Sequence, residues 1–207
     1  LSADACREED GGRVIKLLTS MKIPAGRWDE IVFLVRPGET PPPAPAGVPV
    51  RLALDVYTGE QDFPRLRAMV KSFIRQGFLK WEAADLATLS LLTSLGVEDI
   101  TADWTLYAFN SAALKELGGL GVKEFVASPE NGAANLYSLS KSGYRMQFLR
   151  QQMTPLFISL TPPAASPDDL TVHRRGNLWV TTNAVPRVFE IPAGAKSRID
   201  LSWDAPC

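Results

Sequence analysis

The stretch FLKWEAADLATLSLLTSLGVEDITADWTLYAFNSAALKELGGLG, residues 78–121, decides the fold because it contains the same pattern twice. In each copy, an apolar segment typical of a buried strand precedes an apolar helical segment that ends at a glycine. The two glycines, Gly96 and Gly121, lie 25 residues apart, which is the length of one short βα unit. Alternating strands and helices predict parallel strands joined by right-handed crossovers. The fold class is therefore α/β.

The flanking segments extend this alternation in both directions. We predict further helices over residues 7–21, 64–76 and 135–141, and further strands over residues 31–35, 50–57, 123–127, 144–149 and 156–160. The sequence contains no glycine-rich phosphate loop of the kind found in many open sheets, which favours a barrel. A closed eight-stranded barrel typically takes about 250 residues, and we count only five or six parallel strands. We therefore expect a partial TIM-like (β/α) barrel over residues 1–160.

Two segments depart from the alternating pattern. Residues 37–49 contain six prolines, which predict an exposed, stiff loop that acts as a spacer. After residue 160 we predict short strands over residues 170–174, 178–182 and 187–191, with a hairpin turn at residues 175–177. We expect residues 161–207 to form a small antiparallel β appendage whose apolar face is covered by Trp179 and Trp203.

Composition excludes several classes of function. The 22 Lys and Arg residues balance 23 Asp and Glu residues, so the chain is not a highly basic RNA-coating protein and nucleic acid is not an expected partner. No apolar run approaches the roughly 18 residues that a membrane span requires. We therefore expect a cytoplasmic protein. The chain begins with Leu1 rather than Met, and we expect it to be a fragment or a processed product.

Few residues in the sequence are suited to bind a metal. Cys6 and Cys207 lie near opposite ends of the chain, and His173 is the single histidine. Two distant cysteines do not build a zinc or iron–sulfur site, and one histidine excludes a multi-histidine centre. We expect no metal and no cofactor within this chain.

Polar residues near the carboxyl ends of the predicted strands are the candidates for chemistry, because ligands of parallel α/β folds bind there. These candidates are Asp55, Glu82, Asp85, Asp103, Asn110, Ser128 and Glu130. Paired carboxylates would suit general acid/base catalysis, since neighbouring charge and burial separate their pKa values. Acidic residues at such positions are also common helix caps, which is the favoured role for Asp85. We expect Ser111 to cap a helix and His173 to be an ordinary hairpin residue.

Three segments together resemble the second half of peptidase family U32, the collagenase-like peptidases. They are DWTLYAFNS at Asp103–Ser111, SPE at Ser128–Glu130 and TPLFIS at Thr154–Ser159. The resemblance implies the carboxyl-terminal part of a TIM-like barrel protein of the peptidase family. It carries over four site candidates, with Asp103 and Glu130 as catalytic residues and Asn110 and Ser128 as substrate-binding residues. Glu82, from its place at a strand end, is added as a substrate-binding candidate.

The chain also departs from this family at identifiable positions. Some members hydroxylate RNA bases or quinone precursors with a cysteine-ligated iron–sulfur cluster, but residues 160–165 here contain no cysteine. A cluster in a full-length protein therefore stays open, while none is expected in this chain. Tyr107 stands where the family tends to have a second asparagine, and Gln151 and Gln152 stand where it tends to have a Gly-Arg pair.

Three hypotheses about function follow. The first is a fragment of a U32 peptidase, whose partner is the missing amino-terminal part of the same polypeptide or a second copy. The second is a non-catalytic binding or scaffold module on a degenerate barrel. The third is a hydrolase that uses Glu82 and Glu130 as an acid/base pair. Convergence of Asp103, Asn110 and Glu130 on one accessible cleft would favour a catalytic site over a structural role.

Overall fold

The computed structural model describes residues 11–164 and 169–204, and its main element is a closed barrel of eight parallel strands. Every barrel strand pairs with a neighbour on both sides, and the last strand pairs with the first through Ile199 and Ile15. In ring order the strands are β1 (Arg13–Leu18), β2 (Glu30–Leu34), β3 (Val50–Ala53), β4 (Lys80–Ala83), β5 (Asp99–Ala102), β6 (Val122–Ala127), β7 (Arg145–Gln152) and β12 (Lys196–Asp200).

Helices cover one side of this barrel. They follow β3, β4, β5 and β6 and are α1 (Phe63–Arg75), α2 (Leu86–Ser94), α3 (Ser111–Gly119) and α4 (Ala133–Ser140). Residues 19–29 and 35–49 make the first two connections as loops, and Ala44 and Val48 of the proline-rich loop pack against the core. The TIM-like fold class is confirmed. The barrel is complete in its strands and partial in its helices, which lets it close in fewer residues than is typical.

A three-stranded antiparallel sheet covers the carboxyl ends of the barrel strands. It consists of β8 (Pro155–Ser159), β9 (Leu170–Arg175) and β10 (Leu178–Asn183), with β10 in the middle. The predicted hairpin at residues 175–177 is confirmed, with Arg175 opposite Leu178. Val180 of this sheet belongs to the same apolar cluster as Trp104 and Trp203, which follow barrel strands β5 and β12. Strand β11 (Arg187–Val188) then pairs with β7.

The prediction of a helix over residues 7–21 is wrong where the structure describes this segment, since Arg13–Leu18 is strand β1. Lys16 contacts charged groups inside the barrel, whereas Ile15 and Leu17 belong to the main apolar cluster. A strand buried on both faces is a nearly continuous apolar run, which sequence periodicity does not distinguish from a buried helix. This strand is one of two that the sequence count missed.

The second missed strand is β12, which lies inside the segment expected to form the appendage. Conversely, residues 155–159 belong to the small sheet and not to the barrel. The division of the chain into two domains at residue 160 stays a prediction, but the strands on either side of it exchange places relative to that boundary. The physical reason lies in the charged interior of the barrel, which accepts the sequence KSRID as a buried strand.

Candidate functional site

The barrel interior contains ion pairs that cross the barrel axis. Arg198 on β12 donates to Glu82 on β4 with N–O distances of 2.7 and 2.9 Å. These strands stand opposite each other in the ring of eight, so the pair spans the interior. Lys16 on β1 contacts the carboxylate of Asp103 at 2.6 Å and that of Glu82 at 2.8 Å. All four side chains are fully buried.

The electrostatic environment keeps these groups charged and paired. Burial alone would raise the pKa of Glu82, but Arg198 and Lys16 lower it to about 2. Burial opposes charge on Lys16 as well, yet Asp103 and Glu82 raise its pKa. Burial and Glu82 raise the pKa of Asp103, against the opposing effect of Lys16. The short contact to Lys16 nevertheless shows that this carboxyl is engaged in the interior.

A second tier of charges lies nearer the amino ends of the strands. Arg51 on β3 contacts Glu30 at 3.0 Å and Asp99 at 2.8 Å, and Lys196 on β12 contacts Glu124 at 2.9 Å. Removing one partner of a buried pair leaves an uncompensated charge, so such networks hold the strands in register. These contacts stabilise the barrel.

The predicted site residues fall into separate environments. Glu82 and Asp103 come together inside the barrel, whereas Glu130 is exposed at the carboxyl end of β6. The Asn110 side chain accepts a hydrogen bond from the Ala113 N–H at 2.9 Å and caps α3. The buried Ser128 hydroxyl accepts one from the Glu130 N–H at 3.3 Å. Asp103, Asn110 and Glu130 therefore do not line one cleft, and their assigned roles stay predictions.

The capping predictions have different outcomes. Asp85 caps α2 through a reciprocal arrangement with Thr88, as the sequence predicts. At α3, however, Asn110 is the cap, and Ser111 is the first helical residue. His173 lies on β9 opposite Val180, and burial and the neighbouring Arg175 lower its pKa.

The described residues contain neither a metal-binding cluster nor a membrane-spanning helix. Within residues 11–164 and 169–204, no three His, Cys, Asp or Glu side chains come close enough to hold a metal ion. No helix in those same ranges combines the length and the apolar character needed to cross a bilayer. Cys6 and Cys207 lie outside the described residues, so the expectation about an iron–sulfur cluster stays a prediction.

Two cavities lie side by side between the barrel mouth and the three-stranded sheet. The first has a volume of about 450 Å³ and is lined by charged residues that include Arg36, Asp55 and Arg175. The second has a volume of about 510 Å³ and is lined by aromatic and apolar residues together with Glu130. Tyr57, Leu160 and Leu178 line both cavities. We call the two together the mouth cleft.

Charges in the first cavity are only partly paired. The Asp55 carboxylate accepts a hydrogen bond from Arg36 Nε at 2.9 Å and contacts Arg175 Nη2 at 3.3 Å. The two arginines lower the pKa of Asp55 despite its burial. Arg175 lies 4.0 Å from the ring centroid of Trp203, and none of its three guanidinium nitrogens makes a hydrogen bond. Burial lowers the pKa of Arg175, which Asp55 opposes and Arg36 reinforces.

The second cavity is bordered by an apolar sheet edge. Strand β8 pairs with β10 on one side, and in the described part of the chain it is the outer strand of its sheet. Leu156, Phe157 and Ile158 of this strand are exposed and line the cavity. Large exposed apolar patches on otherwise polar proteins mark binding surfaces. Edge strands also present unpaired backbone groups that an extended segment can meet.

Tyr107 lies on the opposite wall of this cavity in an unusual backbone conformation. Its φ of 53° places it in the left-handed region, and its ring stacks on Phe109 at a centroid distance of 5.5 Å. Asparagine adopts this conformation more readily than tyrosine, which explains why a family with asparagine at this position tolerates the turn. Residues held in strained conformations cluster at functional sites, which directs attention to this wall.

One solved structure supports the fold predicted from the resemblance. The structure of the U32 peptidase Mk0906 aligns with a TM-score of 0.59 over 100% of this chain and 98% of that chain, at 11% sequence identity. The two proteins share a fold. At this identity the likeness carries no information on activity. No protein-family model and no curated protein matches the sequence.

Sequence reasoning missed most of the mouth cleft. Arg36, Tyr57, Arg65 and Arg175 come from four separate segments, and Arg175 belongs to a turn that the sequence predicts only as a turn. The usable signal was the rule that ligands bind at the carboxyl ends of parallel strands. That rule selected Asp55 and Glu130 correctly as residues at the barrel mouth. It does not specify which loops the small sheet brings over that mouth.

Proposed function

We propose that this protein is a member of the U32 peptidase family that binds peptides in the mouth cleft. The observation that carries the proposal is the contrast between Glu82 and Asp103, which are buried in ion pairs, and the open, apolar wall of the cleft. A carboxylate that is buried and paired across a barrel is poorly suited to exchange protons with a substrate. The cleft, by contrast, has the apolar lining and few polar groups that ligand sites share.

Three features support a peptide as the ligand. The fold is that of a protein described as a peptidase. The exposed edge of β8 offers backbone groups to an extended chain, and its apolar side chains offer contact area. Tyr57 and Tyr107 add aromatic surface on the facing wall, where exposed rings contribute strongly to recognition.

The experiment measures binding and cleavage together. A degenerate pool of fluorescein-labelled hexapeptides is titrated with the protein by fluorescence anisotropy, and the same mixtures are examined by mass spectrometry for cleavage. We expect binding without cleavage, and we expect Tyr107→Ala to weaken binding at least tenfold. Tyr137→Ala is the matched control, because Tyr137 is an equally exposed tyrosine on α4 that does not line the cleft.

A hydrolase is the second candidate, and the position of Glu130 favours it. This carboxylate lines the second cavity and is exposed to solvent, so it can reach a bound ligand. If the wild type cleaves the peptide pool and Glu130→Gln abolishes cleavage while preserving binding, the protein is a peptidase that uses Glu130 in acid/base catalysis. Absence of binding to the pool would overturn peptide recognition altogether.

A further inference from the structure

The first cavity contains more cationic than anionic groups. Three guanidinium groups, those of Arg36, Arg65 and Arg175, line it together with the carboxylates of Asp55 and Asp62. Asp55 contacts both Arg36 and Arg175, so a single carboxylate is shared by two arginines. The cavity therefore has room in its charge balance for one more anion.

Arg175 is the residue that points to a ligand. Its side chain is 6% exposed, and its Nε, Nη1 and Nη2 atoms are buried without hydrogen bonds, leaving the 3.3 Å ion pair to Asp55 as its polar contact. A buried donor without an acceptor costs about 1–3 kcal/mol. The stack on Trp203 fixes the plane of the guanidinium. A fixed planar fork with free donors is the arrangement that binds a carboxylate through two parallel hydrogen bonds.

Two further features add positive potential to the same cavity. Arg36 Nη2 is also buried without a hydrogen-bond partner. Arg65 is exposed in the first turn of α1, and that turn contains no acidic residue. The amino end of a helix carries partial positive charge, which favours an anion nearby.

We propose that the first cavity is a carboxylate subsite that binds the C-terminal carboxylate of a peptide lying in the mouth cleft. This inference rests on the proposed function, since the second cavity would hold the preceding residues. The two cavities share Tyr57, Leu160 and Leu178 as lining residues, so a chain in one continues directly into the other. Inorganic phosphate shares the oxyanion chemistry, and the test separates the two sources.

The test compares two hexapeptide pools that differ only at the C-terminus, one with a free carboxylate and one with an amide. We expect the carboxylate pool to bind the wild type at least tenfold more tightly than the amide pool. Arg65→Gln should reduce that ratio, and Arg175→Lys should abolish it, because lysine keeps the charge and loses the planar fork. Arg67→Gln is the matched control, since Arg67 is exposed on α1 and does not line the cavity.

Three outcomes would overturn the subsite or separate it from the proposed function. Equal affinity for the two pools refutes the carboxylate subsite and leaves peptide binding intact. Competition by millimolar inorganic phosphate together with equal affinity for the pools shows a phosphate site, which also refutes it. If neither pool binds, the proposed function has failed, and acetate decides the subsite: movement of the Arg175 Nε–H signal in NMR supports it, and no movement refutes it. Arg65→Gln keeps the test valid if Arg175→Lys does not fold.

Discussion

The barrel interior and the mouth cleft both bury arginines beside carboxylates, but they use them differently. Arg198 in the interior makes hydrogen bonds with both terminal nitrogens, to Glu82 and to Gln147. Arg175 at the mouth is nearly as buried and makes no hydrogen bond with any of its three nitrogens. Burial by itself therefore does not separate a functional charge from a structural one. The unused hydrogen-bonding capacity, together with an adjoining cavity, does separate them.

The largest expected effect comes from breaking the interior pair. Arg198→Met should lower the free energy of unfolding by about 3–5 kcal/mol, because it leaves Glu82 buried beside a neutral side chain. Urea denaturation followed by circular dichroism measures this loss. The double variant Glu82→Leu/Arg198→Met should recover part of it, since no unpaired carboxylate then remains at that position. A loss below about 1 kcal/mol in the single variant would show that the pair does not hold the barrel.

A smaller effect, of different sign, is expected at the mouth. Burial and the neighbouring Asp200 raise the pKa of Asp204 from 3.8 to about 6, so the folded protein binds this proton more tightly than the unfolded chain does. Ionisation of Asp204 therefore removes stability as the pH rises from about 4 through 6. Asp204→Asn should be more stable than the wild type at pH 7, and the difference should shrink towards pH 4. Partial exposure keeps the gain below about 1 kcal/mol.

Thermal unfolding of both proteins between pH 4 and pH 7 checks this prediction. The comparison of variant with wild type cancels the titration of the other carboxylates. A constant difference across the pH range would mean that Asp204 does not titrate in this window. The interior responds in the opposite direction, because the lowered pKa of Glu82 makes its contribution disappear as the pH falls from 4.5 to about 2.

The smallest effect on stability is expected at the exposed edge of β8. Phe157 is 59% exposed, so Phe157→Ser should change the free energy of unfolding by no more than about 0.5 kcal/mol. The same variant should weaken binding of the hexapeptide pool about tenfold, equivalent to about 1.4 kcal/mol. Val188→Ser is the control, because Val188 is equally exposed on β11 and does not line the mouth cleft. Unchanged peptide affinity in Phe157→Ser would remove β8 from the binding surface.

The repeated βα units were predictable because their information is local. The strands and helices between residues 50 and 149 follow from apolar segments, caps and terminal glycines, and Asp85 caps α2 as its position predicts. The turn at residues 175–177 is local in the same sense. The resemblance to the U32 peptidases also rested on short local motifs, and it predicted the fold of a solved structure that is 11% identical.

Strands β1 and β12 were not predictable from local pattern, for two different reasons. Arg13–Leu18 is buried on both faces, so its apolar run fits a helix equally well. Lys196–Asp200 carries three charged residues and does not resemble a buried strand. It becomes one because Lys196 meets Glu124 and Arg198 meets Glu82 across the barrel. These partners are distant in sequence, and only closure of the ring brings them together.

The sequence by itself determined the βα alternation, the caps and the hairpin, since each depends on residues within about one turn or one strand of each other. The tertiary structure decided whether the barrel closes, which acidic residues are paired and where a ligand can bind. Glu82 and Glu130 are both acidic residues near strand ends in the sequence. Their difference arises because Glu82 lies against Arg198 and Lys16 inside the barrel, while Glu130 lies at the open mouth. Long-range pairing of charges and packing of the small sheet are properties of the folded chain.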